Sequence, residues 1–498
     1  MNKLFIFIIF TIFLLSCDLS TNNSVNSDFV DDSFGNFWAQ NTSTGKFYRV
    51  DAELLAEGTH CNVWAEKGSG VNSDTAEKVA KKYDDNIYSK MLNAFSFENV
   101  PYEGKTFADV MEFAGWLLNG DGKLNILLLD IKDDYKKNGN DSYVSGYFWA
   151  GNFLDIRYSN KKSMLYVDTY PGLSGEPGQM PAQIPERMYV TIAHEMQHLM
   201  NFMSSILYRT PGKTIYTMDT WIDEGLSSAA EWLYGGHNDE RIKWYNNGHN
   251  YGGMINQGNN FFVWGNRVTK NNPYPILDDY STVYLFFQWL RLQSGGTDIY
   301  RDIITSPYPY FDHRAVTSAA DNAMSGKGYN NWETLLKTWL AANFINSPSG
   351  PYGYMNDFPT NLTIQANTAP AGENSFSLYP GEGVYSITNN SQPALSGQGA
   401  NINNAYFNKS PAQVNDSAFY PGGGMLTYNV NTNPKGSQET GKTTGVGASM
   451  GIAARSLQAP LSGPFAIGAG DMLRQNGYKE VFGAPVLPKP DIKIEINE

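Results

Sequence analysis

The sequence predicts an α+β protein: a strand-rich half, then a helical half, then a β-rich C-terminal region. Three observations carry that expectation. Runs of strand length, alternating or continuously apolar, lie mainly in roughly the first 170 residues. Runs with apolar residues at helical spacing fill residues 186–346. Beyond "SPSGPYGYMNDFP" the composition changes: residues 383–408 carry no charge, and Gly, Asn, Ser and Pro dominate.

Taken in order, "FYRVDAELLAEGTHCNVWAEK" reads as two strands joined by a Glu-Gly turn, with His60 and Cys61 in the second. The spacing in "NSDTAEKVAKKYDDNIYSKMLNAF" predicts one helix. "KLNILLLDI" holds an apolar run of strand length and predicts a central strand, and the "NGDG" before it a turn. "GYFWAGNF" (146–153) predicts an exposed strand and "MLYVDTYP" a further one. Helices follow at 186–207, in "TWIDEGLSSAAEWLYGG" with Asp219 or Thr220 as its cap, in "DDYSTVYLFFQWLRLQSGG" and in "NWETLLKTWLAANF". Gly235-Gly236 and Gly295-Gly296 stand where helices end. The C-terminal pieces "GVYSITN" and "GMLTYNVN" alternate as strands do.

At 498 residues, 41% hydrophobic and 14% aromatic, the chain is globular and long enough for two or three domains. A net charge of −13 with no basic block argues against a nucleic-acid partner. The opening "MNKLFIFIIFTIFLLSC" has Lys3, a short apolar run and then Cys17, the pattern of an export signal. Its "LLSC" ending resembles a bacterial lipoprotein signal, which implies acylation of Cys17 and a membrane anchor on the cell envelope or surface. A polar tether (18–44) follows. With Cys17 lipidated, Cys61 has no disulfide partner and reads as a small buried thiol.

The chemistry is concentrated in "TIAHEMQHLMNF". Residues four apart share a helix face, so His194 and His198 can grip one zinc ion through neutral ring nitrogens. Glu195 follows the first histidine, where it can reach a zinc-bound water and act as general base. Val190, Ile192, Ala193, Met196, Leu199 and Phe202 make the helix core-facing, where unpartnered histidines would be costly. A third ligand is needed, and "WIDEGLSSAAEWL" offers Glu224, Ser228 and Glu231 as a polar stripe in an apolar helix. Glu224 is the candidate ligand; Glu231 can hold a ligand histidine by its other nitrogen.

His194-Glu195-x-x-His198 followed by Trp221-x-x-Glu224-Gly225 resembles the gluzincin zinc metallopeptidases, and the wording around it is similar to the bacterial hyicolysin type. That resemblance implies a zincin-like metallopeptidase domain at 45–355, with a strand-rich upper half, a helical lower half and a zinc cofactor. Residues 356–498 form the β-rich region that it leaves unexplained. Gluzincins often take an oxyanion-stabilising tyrosine from a later helix, and Tyr280 matches that placement, with Tyr284 and His313 as rivals. The implied activity is a zinc endopeptidase acting on proteins or peptides. The G-x-M-E-N segment of gluzincin aminopeptidases is missing before the motif. The alternative is a surface binding protein or adhesin that retains the peptidase fold. Such a protein need not keep Glu195 and three ligands; this chain keeps all four.

Overall fold

In the computed structural model the described residues are 35–95, 121–135, 142–153, 157–173, 185–208, 214–247, 261–262, 276–306 and 312–359. Beyond these come the pieces 375–378, 381–388, 394–396, 400–404, 425–432, 456–457, 466–468 and 493–496. The signal and Cys17 expectations, most of the tether, and His249 lie outside the described residues.

A mixed sheet forms the first layer. Strands β1 (Asn36–Gln40), β2 (Phe47–Glu57), β3 (Cys61–Glu66) and β4 (Leu124–Leu129) are joined by β6 (Gly146–Phe148) and β7 (Met164–Asp168), while β5 (Ser142–Tyr143) pairs apart from them with Ser456–Leu457. The main sheet runs β1-β2-β3-β4-β7-β6. Its centre is parallel (β3, β4, β7), and β6 returns antiparallel to β7. Every residue of β4 is buried, as a central parallel strand covered on both faces requires. That is why it reads as an apolar run interrupted only by Asn125.

Two strand expectations change. His60 is not in a strand: it sits in the turn before β3, its ring stacked on Tyr88 at 4.0 Å. The stretch from Gly146 is strand for three residues only, and these are buried instead of exposed; Ala150–Phe153 then tightens into a 3₁₀ turn. A short strand at Ala466–Gly468 pairs parallel with the outer edge of β6.

The single helix expected after β3 is two, α1 (Ser73–Lys82) and α2 (Tyr88–Phe95), separated by a π turn at Tyr83–Ile87. Asn72 caps α1 by accepting the Thr75 N–H at 2.8 Å. Asp84, in the π turn, accepts the backbone N–H groups of Thr59 and His60 and ties this helical pair to the β2–β3 turn.

The helical layer contains α3 (Glu186–Tyr208), α4 (Thr220–Gly235), α5 (Asp239–Asn247) and α6 (Ile276–Ser294). It continues through α7 (Asp298–Ile304), α8 (His313–Ala323) and α9 (Trp332–Ile345). Asp219 stands at the α4 cap position, yet its side chain makes no capping hydrogen bond. Gly236 ends α4 with φ +82°. Helix α4 is buried from Thr220 to Glu231 because it runs between α3 and α6. Trp221 anchors an aromatic cluster with Phe261, Phe286, Phe287 and Trp332, of the size that dominates core energetics.

In the C-terminal region Met425–Asn431 runs between Gly383–Thr388 and Ala400–Asn404 in a three-stranded antiparallel sheet. Among the described residues no helix is long and apolar enough to cross a membrane.

Candidate metal centre and active site

Helix α3 crosses the sheet beside β6 and β7, and one glycine sets how closely. A Cβ on Gly146 would stand 2.5 Å from Thr191 Cγ2 and 2.9 Å from the Tyr166 carbonyl oxygen. Only glycine leaves that space, so α3 brings the His194-Glu195-x-x-His198 turn close against β6. All three are buried. Helix α4 lies along the other side of α3, and it too is drawn in by a glycine. A Cβ on Gly225 would meet Phe287 of α6 at 2.3 Å.

Where α3 faces α4, three ligand atoms converge. Nε2 of His194 and Nε2 of His198 are 3.0 Å apart, and Glu224 Oε2 lies 3.4 Å from the first and 3.5 Å from the second. Donors about 2.0–2.1 Å from a tetrahedral zinc are separated by roughly 3.3 Å. The triangle therefore has the size of three corners of a zinc tetrahedron. Among the described residues this is the one group of acidic, histidine or cysteine side chains close enough to share an ion.

Each imidazole is gripped on its far side by a carboxylate of the same helix α4. Glu231 Oε1 lies 2.8 Å from Nδ1 of His194, and Asp223 Oδ2 lies 3.1 Å from Nδ1 of His198. A proton held on Nδ1 leaves Nε2 with its lone pair toward the triangle. Ser227 Oγ lies 3.2 Å from the same His198 nitrogen, and Asn201 of α3 donates to Asp223 Oδ1. Gln197 donates to Asn201 at 2.8 Å, so the polar chain returns to the motif helix.

Glu195 differs from its neighbours. It is fully buried, and its carboxyl has no side-chain hydrogen-bond partner among the described residues; the backbone of Phe148 is what reaches it. Burial raises its pKa to about 7 against the pull of His198 and His194, with Glu224 adding to the rise. Burial pushes the other two carboxyls up as well, but the attraction of their partners wins. His198 and His194 hold Glu224 at about 2, and Arg241 with His194 holds Glu231 at about 2. One environment thus contains two firmly ionised carboxylates and one poised near neutrality, the separation that acid–base chemistry needs.

Tyr280 is buried on α6, its ring centroid 6.4 Å from that of His194, and its hydroxyl bonds the Glu224 carboxylate. Burial, then the Glu224 charge, pushes its pKa well above the ordinary range, so the hydroxyl keeps its proton. The rivals lie elsewhere. Tyr284 accepts the N–H of Asn238 at 3.0 Å, and His313 begins α8 against Asp312 and Trp332. His237 is part-buried, 3.5 Å from Asp357 Oδ2.

The sequence reading missed Asp223, Asn201 and Arg241. A signal existed for Asp223, an acid directly beside a candidate ligand on the same buried helix. For Asn201 and Arg241 there was none, since their roles depend on which helices pack together.

No protein-family model matches the chain. Over 273 residues it is 30% identical to the neutral metalloprotease ShpI of Staphylococcus hyicus. The likeness is to a metalloprotease. It covers 54% of this chain and 54% of that protein, so the chain is matched over about half the length of its curated relative. It supports a metallopeptidase relationship and a metal at the His194, His198 and Glu224 group, without separating one metallopeptidase branch from another.

Proposed function

We propose that this protein is a zinc-dependent endopeptidase of the gluzincin type, cleaving proteins or peptides with His194, His198 and Glu224 as ligands and Glu195 as general base. The observation that carries this reading is the triangle of donor atoms, 3.0, 3.4 and 3.5 Å on its sides, with a glutamate that no other side chain hydrogen-bonds buried beside it. Zinc bound there would supply Lewis acidity, making an attacking water acidic enough to lose a proton near neutral pH. Glu195 takes that proton and passes it to the departing amine, and its burial against the three donors places it to do both. Glu231 and Asp223 keep the two imidazoles aimed. The protonated Tyr280 hydroxyl can donate to the oxygen that gains charge as the carbonyl is attacked.

The preference for internal cleavage rests on the missing amine-binding segment before the motif. Export and a lipid anchor at Cys17 belong to the same proposal and rest on the first seventeen residues. The β-rich region 356–498 is proposed as an addition to the peptidase domain 45–355.

The test is cleavage of an unfolded protein by the full-length chain beside Glu195→Gln, each after chelation and again after zinc return. Loss of general-base catalysis is expected to slow the variant by about 10²–10⁴ while it still binds one zinc. Equal cleavage by both, or cleavage that survives chelation, would overturn the proposal.

A further inference from the structure

Helix α5 carries a residue that no part of the proposed chemistry has used. Arg241 is buried with 0% exposure, an uncommon place for an arginine unless it is paired. Its Nη2 donates to Oε1 of Glu231 at 2.9 Å, and that same oxygen faces Nδ1 of His194 at 2.8 Å. The guanidinium carbon stands 4.6 Å from the Tyr280 ring centroid and 5.3 Å from that of Trp244. The second Glu231 oxygen accepts from Asn238 Nδ2 at 3.0 Å, and the backbone N–H of Asn238 donates to the Tyr284 hydroxyl.

Glu231 is therefore anchored from beyond the metal centre. His194 presents one N–H to it, which could turn a loosely held carboxylate as readily as be turned by it. A fixed cation on the opposite side changes that balance. Arginine cannot lose its charge in a protein, and its flat fork keeps one orientation when stacked between aromatic rings. A carboxylate held that way determines where the ring nitrogen across from it points.

We propose that Arg241 is a positioning residue of the metal centre, acting through Glu231 to hold Nε2 of His194 toward the ion and touching neither ion nor substrate. The inference rests on the metal-site reading above. Its consequence is that metal affinity depends on a residue of α5, a helix that supplies no ligand.

The experiment is a double-mutant cycle read as zinc affinity by chelator competition on the full-length protein: unmutated, Arg241→Met, Glu231→Gln and the two together. Arg241→Met is expected to weaken zinc binding by about 10- to 100-fold, the usual effect of losing a partner of a metal ligand. The double variant should bind zinc as Glu231→Gln does alone, because Arg241 works through Glu231. Unchanged affinity in Arg241→Met overturns the inference, as does a double variant that loses the product of both effects. If Arg241→Met does not fold, Arg241→Gln takes its place under the same two criteria. An unmutated protein that takes up no zinc would instead sink the zinc reading.

Discussion

Asp223 and His198 meet at 3.1 Å between Oδ2 and Nδ1, while the next residue, Glu224, reaches Nε2 of the same ring at 3.5 Å. Two consecutive residues of one helix thus address opposite sides of a single imidazole. Successive side chains on a helix point about 100° apart, which is enough to straddle a flat ring laid against the helix. The pairing makes Asp223 as much a part of the site as the glutamate beside it.

Asp223→Asn keeps the shape and removes the charge that favours an N–H on Nδ1. The expected result is a zinc affinity lower by about 10- to 100-fold, with far-UV circular dichroism unchanged. Chelator competition measures it. An unaltered affinity would mean that Ser227, 3.2 Å from the same nitrogen, suffices to orient the ring.

Glu195 gives a stability prediction with a definite sign. Its pKa rises from 4.5 to about 7 on folding, chiefly through burial, so between these values the folded metal-free protein holds more protons than the unfolded chain. Its contribution to stability then falls as pH rises from 4.5 to 7 and is flat above, a loss of about 3 kcal/mol. Glu195→Gln removes that slope. Urea unfolding of chelated protein is expected to find the variant more stable than the parent at pH 8, and the gap nearly closed at pH 4.5. A gap independent of pH would refute the assignment.

Gly146→Ala tests the approach of β6 to the motif helix. The added methyl would stand 2.5 Å from Thr191 Cγ2 and 3.5 Å from Glu195 Cγ, so strand and helix must separate. A displacement of about 1 Å at a reacting group is enough to lower kcat/KM by about 10²-fold. Zinc content should stay at one ion, since none of the ligands touches the methyl. Steady-state kinetics with a quenched peptide and metal analysis together read both outcomes.

Gly225→Ala probes the α4–α6 contact. Helix propensity alone would reward alanine by about 1 kcal/mol. The clash with Phe287 at 2.3 Å works the other way, and overpacking of this kind costs about 1–3 kcal/mol. Net destabilisation is expected from urea midpoints at unchanged m value. A stabilised variant would show that Phe287 moves aside freely.

The elements that build the site were legible in the sequence to within a residue or so: α3 was expected at 186–207 and runs Glu186–Tyr208, and α4 begins at one of the two residues named for it. Their apolar periodicity is strong because both helices are buried. Local features were harder. The π turn at Tyr83–Ile87 leaves the apolar spacing almost unchanged, so one helix was expected where two are found. Three residues of strand in "GYFWAGNF" and the turn position of His60 depend on neighbouring strands and helices, which no local pattern encodes.

What the sequence by itself determined is the set of donors and their spacing along the chain: two histidines four apart, the glutamate between them, and acids seven apart on a later helix. Covalent spacing and the helical repeat suffice for that, because they fix which side chains share a face. Only the tertiary structure decided that Glu231 and Asp223 each take a different imidazole, that Arg241 stands behind Glu231, and that Glu195 is left without a side-chain hydrogen-bond partner. Those outcomes depend on distances between helices, and these were set by whole-chain packing: by the absence of a side chain at Gly146 and Gly225 and by the aromatic cluster around Trp221.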